Sequence, residues 1–273
     1  TDVSPGAVAK PGKKITITGV GFGNNREKVM FGNSYGDIVS WSNSTIEVET
    51  PDISNMAKQM KVYNDSGLYY ERPFTVFAGY SNDQYAYLQD YFPQINLKKA
   101  WEEVENSKEV TVAVIDDGVY TNHPDLKGKI WRNPGEIEGN QIDDDNNGYV
   151  DDVLGYNFVD DTAVMDTKGY HGTMVASIIG AKRNNQEGIA GIAKNVNIMP
   201  IIVSDLEGDF ISENKIIESI KYAVDNGADI INLSFGTRQT IGYTNKFNDV
   251  MEYAYDNGAL VVVAAGNGDI DGG

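Results

Sequence analysis

Two hydrophobic rhythms follow one another along this chain. Up to about residue 78, apolar and polar positions alternate in short runs: Ile15-Thr16-Ile17-Thr18, Lys28-Val29-Met30-Phe31, Ser44-Thr45-Ile46-Glu47-Val48, Lys61-Val62-Tyr63 and Phe74-Thr75-Val76-Phe77. Turn residues separate them, as Gly21-Phe22-Gly23-Asn24-Asn25 does after the first. A period of two, broken at short intervals by Gly, Asn, Asp and Pro, predicts half-buried strands and a small all-β sandwich. Further on, the strands become continuously apolar: Thr111 to Ile115, Ile198 to Val203, Asp229 to Leu233 and Leu260 to Ala265. Helical patterns lie between the later ones, at Glu213 to Asp225 and Lys246 to Asp256, and each closes on an Asn-Gly pair. Strands without alternation are buried on both faces, so this half predicts an α/β fold, a parallel sheet with helices on both sides. The expected division is a sandwich over 1–78, a linker and lead-in segment over 79–110, and an α/β domain over 111–273. Ala78-Gly79-Tyr80-Ser81-Asn82 breaks the pattern at the first boundary.

Composition narrows the partners. With 22 basic and 40 acidic side chains the net charge is −18, which repels nucleic acid and anionic membranes and favours divalent cations. There is no cysteine, so disulfides and thiolate metal sites are excluded. No apolar run reaches the ~18 residues of a membrane span. No basic-then-apolar leader opens the sequence, so any secretion signal is expected to have been removed or to lie outside this sequence.

Candidate chemistry gathers at three strand ends or helix starts. Asp116 closes the apolar strand Val112-Ala113-Val114-Ile115, the place where parallel sheets present functional groups. His171, one of only two histidines, opens the small-residue segment Gly172-Thr173-Met174-Val175-Ala176-Ser177-Ile178-Ile179-Gly180, which suits a buried helix. Asn267 follows Ala264-Ala265-Gly266, just past a third apolar strand, and its amide can donate a hydrogen bond.

Together these segments resemble the subtilase family. The aspartate motif matches Val114-Ile115-Asp116-Asp117-Gly118, with Asp117 where Ser or Thr is usual. The histidine motif matches His171-Gly172-Thr173-Met174-Val175-Ala176, and the asparagine motif Ala264 to Asn267. Asn122-His123-Pro124-Asp125-Leu126, Gly188 to Ala193 and Ile230 to Gly236 extend the likeness in the family's order from about Asn82 onward. The resemblance implies serine-protease chemistry with a protein or peptide substrate. His171 would act as general base, Asp116 would orient it, and Asn267 would stabilise the oxyanion. Ser234-Phe235-Gly236 and Glu207-Gly208 would flank an extended substrate. His123 is then the structural histidine.

The family's serine segment, of Gly-Thr-Ser-Met-Ala type, does not occur in these 273 residues. Three explanations stay open: a C-terminally truncated protease, a nicked one whose serine lies on a separate C-terminal fragment, and a natural pseudoprotease.

The acidic stretch Asp143 to Asp152 sets Asp143, Asp145, Asn147, the Tyr149 carbonyl and Asp151 at alternating positions around a glycine turn, as in the first part of an EF-hand loop. Calcium is the expected ion. The twelfth position, where a closing glutamate is usual, is Leu154, so closure through Asp152 or water is expected. A second calcium site, implied by the resemblance alone, would use Asp83 or Gln89, Asp125 and Asn185. The opening Pro11 to Gly23, with Ser40 to Ile46 and Pro73 to Val76, resembles the IPT/TIG immunoglobulin-like domains. The functional expectation is a secreted or cell-surface, calcium-stabilised endopeptidase. The alternative is an inactive protease-like surface protein that binds proteins or glycans through its front domain.

Overall fold

The computed structural model describes residues 2–4, 6–53, 57–104, 107–165, 169–205, 211–235 and 245–266. They form two compact units, Thr1–Val104 with Arg183–Ile189, and Glu105–Lys182 with Ala190–Gly273.

The first unit opens with nine strands: β1 (Asp2–Ser4), β2 (Val8–Ala9), β3 (Lys14–Thr18), β4 (Val29–Phe31), β5 (Ser34–Tyr35), β6 (Asp37–Trp41), β7 (Thr45–Glu49), β8 (Ala57–Tyr63) and β9 (Tyr69–Val76). They pair into two sheets, in the orders β1-β3-β7-β6 and β2-β9-β8-β4-β5. The alternation read from the sequence is the reason they stack. Ile15 and Ile17 of β3 and Ile46 and Val48 of β7 meet Phe31, Met60, Val62 and Phe74 from the other sheet in one buried cluster.

The expected division at 78/79 falls inside this unit, where aromatic packing runs across it. Phe77 lies 5.3 Å from Tyr80, Tyr80 is 6.2 Å from Phe92, and Phe92 is 5.7 Å from Trp101. Trp101 belongs to the short helix α1 (Leu97–Glu103), and the guanidinium of Arg183 lies 4.0 Å over its ring. Burial lowers the pKa of that guanidinium, with Asp83 opposing the shift. Arg183→Ala is expected to cost about 1 kcal/mol, measured by urea unfolding, with Arg183→Lys recovering part of it.

In the second unit the strands β10 (Val110–Asp116), β11 (Tyr156–Asn157), β12 (Val196–Ile202), β13 (Ile230–Leu233) and β14 (Leu260–Val263) form one all-parallel sheet, in the order β11-β12-β10-β13-β14. Its helices are α2 (Tyr170–Gly180), α3 (Glu213–Asp225) and α4 (Asn245–Asp256). Both faces of β10 are buried, which is why its sequence shows no polar alternation. Ala113 and Ile115 join the cluster that holds Ile220, Ala223, Val250 and Ala254 of α3 and α4. Val112 and Val114 join the other, with Ala176 of α2 and Val196 and Ile198 of β12. Gly227 (φ +78°) and Gly258 (φ +83°) take the left-handed conformation just after α3 and α4, as the Asn-Gly pairs require.

One expectation is corrected here. Helix α2 is buried on one face only, through Gly172, Ala176, Ser177 and Gly180, while Met174 and Ile178 are exposed. A helix that packs on a single sheet face leaves its opposite stripe outside, whatever its overall hydrophobicity.

Candidate active site

The carboxyl edge of the parallel sheet is level across three strands. Ile115 is in register with Leu233, and Leu233 with Val263, so Asp116, Ser234 and Ala264 stand at the same height. Asp116 is buried and ends β10. Across from it, His171 is the second residue of α2, and its Nδ1 lies 2.8 Å from Oδ1 and 3.0 Å from Oδ2 of Asp116. The imidazole side chain is 51% exposed against 5% for the carboxylate, so the acid sits behind the ring and the ring faces solvent. Burial raises the Asp116 pKa above the ordinary carboxylate value, and the bond to His171 works against the shift.

Asp117 explains how the helix arrives there. One of its oxygens accepts from the Gly172 N–H at 2.7 Å and the other from the His171 N–H at 3.0 Å, capping the first turn of α2 with a full negative charge. The hydroxyl usual at this motif position offers a single oxygen and no formal charge, where Asp117 gives each donor its own oxygen. Gly172 allows the approach, since a Cβ there would meet Asp116 Cβ at 2.9 Å. Thr173 Oγ1 donates to the Gly169 carbonyl and accepts from the Tyr120 N–H at 2.8 Å, tying the helix start to the segment after β10. Asp117→Ala is expected to cost about 1–2 kcal/mol of stability, read by thermal melting, and Asp117→Ser to recover part of it.

Of the other expected residues on this edge, Ser234 accepts from Asn232 Nδ2 at 2.8 Å, and Phe235 packs against the α3 and α4 side of the core. Glu207, Gly208, Gly236 and Asn267 lie outside the described residues.

The acidic loop brings together Glu136, Asp143 and Asp145, each offering a carboxylate oxygen within 4.8 Å of the others. Glu136 was not visible to the sequence reading, because it lies seven residues before the loop and outside its alternation. It also accepts from the N–H groups of Asp144, Asp145 and Asp151, which folds the loop around it. Asn147 donates to Asp145 and Asp152 through Nδ2. The Asp151 carboxylate accepts from Gly139, Asn140 and Gln141, so both its oxygens are already engaged. Asp152 is fully buried under the loop, bonded to Asn133, Asn147 and Tyr222. Tyr149 stacks edge-on against Tyr222 at 4.9 Å, joining the loop to α3. Three clustered carboxylates with all-oxygen chemistry fit a hard divalent cation such as calcium.

Within the first unit, buried Asp83 accepts from the N–H groups of Asn184, Asn185 and Gln186 at 3.0, 2.8 and 3.3 Å. Gln89 is buried and donates to Tyr91 Oη at 3.2 Å. Asp125 belongs to the second unit, where it is buried and its N–H is accepted by His123 Nδ1 at 3.3 Å.

The chain matches the profile of the subtilase family over residues 107–273 and that of the IPT/TIG domain over residues 1–87. The "Thermophilic serine proteinase" of Bacillus sp. (strain AK1) is 35% identical over 220 residues, 79% of this chain and 48% of that protein. Thermitase of Thermoactinomyces vulgaris is 35% identical over 187 residues, 68% of this chain and 57% of that protein. "Subtilisin-like protease 1" of Plasmodium berghei (strain Anka) is 32% identical over 246 residues, 89% of this chain and 39% of that protein. The chain thus spans about half the length of the relatives it matches. With an Asp-His pair at the carboxyl edge of a parallel sheet and a profile match over more than half of its residues, the chain belongs to the subtilase family.

Proposed function

We propose that the protein is a secreted or cell-surface serine endopeptidase, stabilised by calcium, for which these residues supply the aspartate and histidine of an Asp-His-Ser triad. The observation that carries this reading is the contact of His171 Nδ1 with both oxygens of buried Asp116, in a chain of the subtilase family. Asp116 keeps the ring hydrogen on Nδ1, which leaves Nε2 as the base. A serine hydroxyl gives its proton to Nε2 as its oxygen attacks the peptide carbonyl. The imidazolium returns that proton to the leaving amine as the C–N bond breaks, and water then releases the acyl group by the same route. Asn267 donates to the oxyanion, and Ser234-Phe235-Gly236 with Glu207-Gly208 line the extended peptide. The serine comes from a segment outside these 273 residues, on the same chain or on a C-terminal fragment.

Glu136, Asp143 and Asp145, with Asn147 and the Tyr149 carbonyl, would hold calcium at the acidic loop, and Asp83 or Gln89, with Asn185, would contribute oxygens to a second site. Calcium supplies stability here and takes no part in the chemistry. Among the described residues no helix is long and apolar enough to cross a membrane.

Fluorophosphonate labelling tests the reading. A protein that unites these residues with the serine-bearing segment is expected to take the label and cleave peptides, while the 273-residue chain alone does neither. A folded, serine-bearing protein that stays unlabelled and inactive would instead be a protease-shaped binding protein, with its function in the front domain.

A further inference from the structure

With 40 acidic side chains against 22 basic ones, this chain has few concave surfaces to expect without a carboxylate. The second unit has one. A cavity of about 460 Å³ opens on the segment after β10, with His123, Lys127 and Arg132 among its lining residues, Ile130 and Leu154 as its apolar walls, and no acidic residue in its lining.

The frame of this cavity is fixed by backbone bonds. Ile198 N–H donates to the Lys129 carbonyl and Trp131 N–H to the Ile198 carbonyl, both at 2.7 Å, which holds Ile130 beside β12. His123 Nδ1 accepts from the Asp125 N–H, so the neutral ring carries its hydrogen on Nε2 and remains a donor there. The Lys127 ammonium has no bonded partner among the described residues. Arg132 spends one nitrogen on Glu138 at 2.6 Å, but both side chains are mostly exposed, and such a pair is easily exchanged for another anion. Leu154 stands at the twelfth position counted from Asp143, where a cation loop would place a carboxylate, and it lines this cavity instead.

We propose that this cavity binds a peptide carboxylate: an Asp or Glu side chain whose aliphatic neighbour rests on Ile130 and Leu154. Two exposed cations and an imidazole N–H supply the donors. The apolar walls give a peptide an advantage over a small inorganic anion, which could use only the polar half. The surrounding field is strongly negative, so binding depends on short-range contacts between the carboxylate and these donors rather than on long-range attraction. The site uses neither Asp116 nor His171, so its test does not depend on turnover.

The test is titration of the ¹⁵N-labelled 273-residue chain at roughly millimolar probe, a range suited to weak surface sites. The probes are N-acetyl-Glu-Leu-amide, its Gln-Leu analogue and inorganic phosphate. The expected result is saturable shifts over residues 121–132 and at Leu154 with the Glu peptide, and affinity at least about tenfold weaker for the Gln peptide and for phosphate. The double variant Lys127→Gln/Arg132→Gln, both exposed positions, is expected to keep its melting temperature and lose the shifts. Equal binding of the Glu and Gln peptides, phosphate binding as tightly as the Glu peptide, no saturable shift, or unchanged binding by the double variant would each overturn the assignment.

Discussion

Alanine at position 171, in the serine-complete protein, is expected to lower kcat by about six orders of magnitude, the loss known for the catalytic histidine of subtilisin. Asp116→Asn is expected to lower it by about four orders, since the amide leaves the ring in the wrong tautomer but in place. Steady-state kinetics on a peptide substrate check both, and a residual rate within a hundredfold of wild type would show that another group is the base. Asp116→Asn also has an effect of opposite sign. Burial raises the folded-state pKa of Asp116 above the ordinary value, so the folded protein holds this proton to higher pH than the unfolded chain does. Stability therefore falls as pH rises from the ordinary pKa, about 4, through the raised one, and it stays lower above it. The neutral asparagine escapes that loss. It is expected to melt at or above the wild-type temperature at pH 7, with the gap closing below about pH 4. A variant that is both inactive and markedly less stable at neutral pH would contradict this account.

Chelation of calcium is expected to destabilise the chain by about 3 kcal/mol relative to a calcium concentration of ~100 times Kd, several degrees in melting temperature. Calcium-free, Glu136, Asp143 and Asp145 repel one another across less than 5 Å. Asp143→Asn should therefore lose the calcium-dependent rise in melting temperature, while in chelator its relief of repulsion is set against the loss of one of the two bonds that Asp143 accepts from the Asn147 and Gly148 N–H groups. Glu136→Gln should lose calcium binding and also loosen the loop, because Glu136 accepts from three loop N–H groups. Terbium luminescence sensitised by Tyr149 reports binding directly. Identical melting with and without chelator, together with silent terbium, would leave a solvated acidic loop.

What the sequence could reveal depended on how local each feature was. The β3 alternation and the unbroken apolar run of β10 are statements about two faces, and two faces are visible in any single strand. Asp116 and His171 were legible because strand ends and helix starts punctuate the pattern. Asp117 was legible only as a departure from a motif; its work as the cap of α2 depends on a helix 54 residues away. Glu136 lies outside the loop's alternation, and its contacts come from how the turn folds back. The exposed stripe of Met174 and Ile178 could not be read from a segment that is apolar all round, because composition does not say how many neighbours a helix has. The segment 79–110 reads as a linker and lead-in on pattern, yet its aromatics Tyr80, Phe92 and Trp101 continue the packing of the front unit.

The grip of Asp83 on the backbone of residues 184–186 spans 101 to 103 positions of chain. On the ribosome the sandwich strands end at Val76 and can pair as soon as they clear the exit tunnel. Asp83 must wait for about a hundred further residues, roughly 5–20 s of synthesis at ordinary elongation rates. Through that interval Trp101, which packs edge-on against Phe92, lacks the capping cation of Arg183.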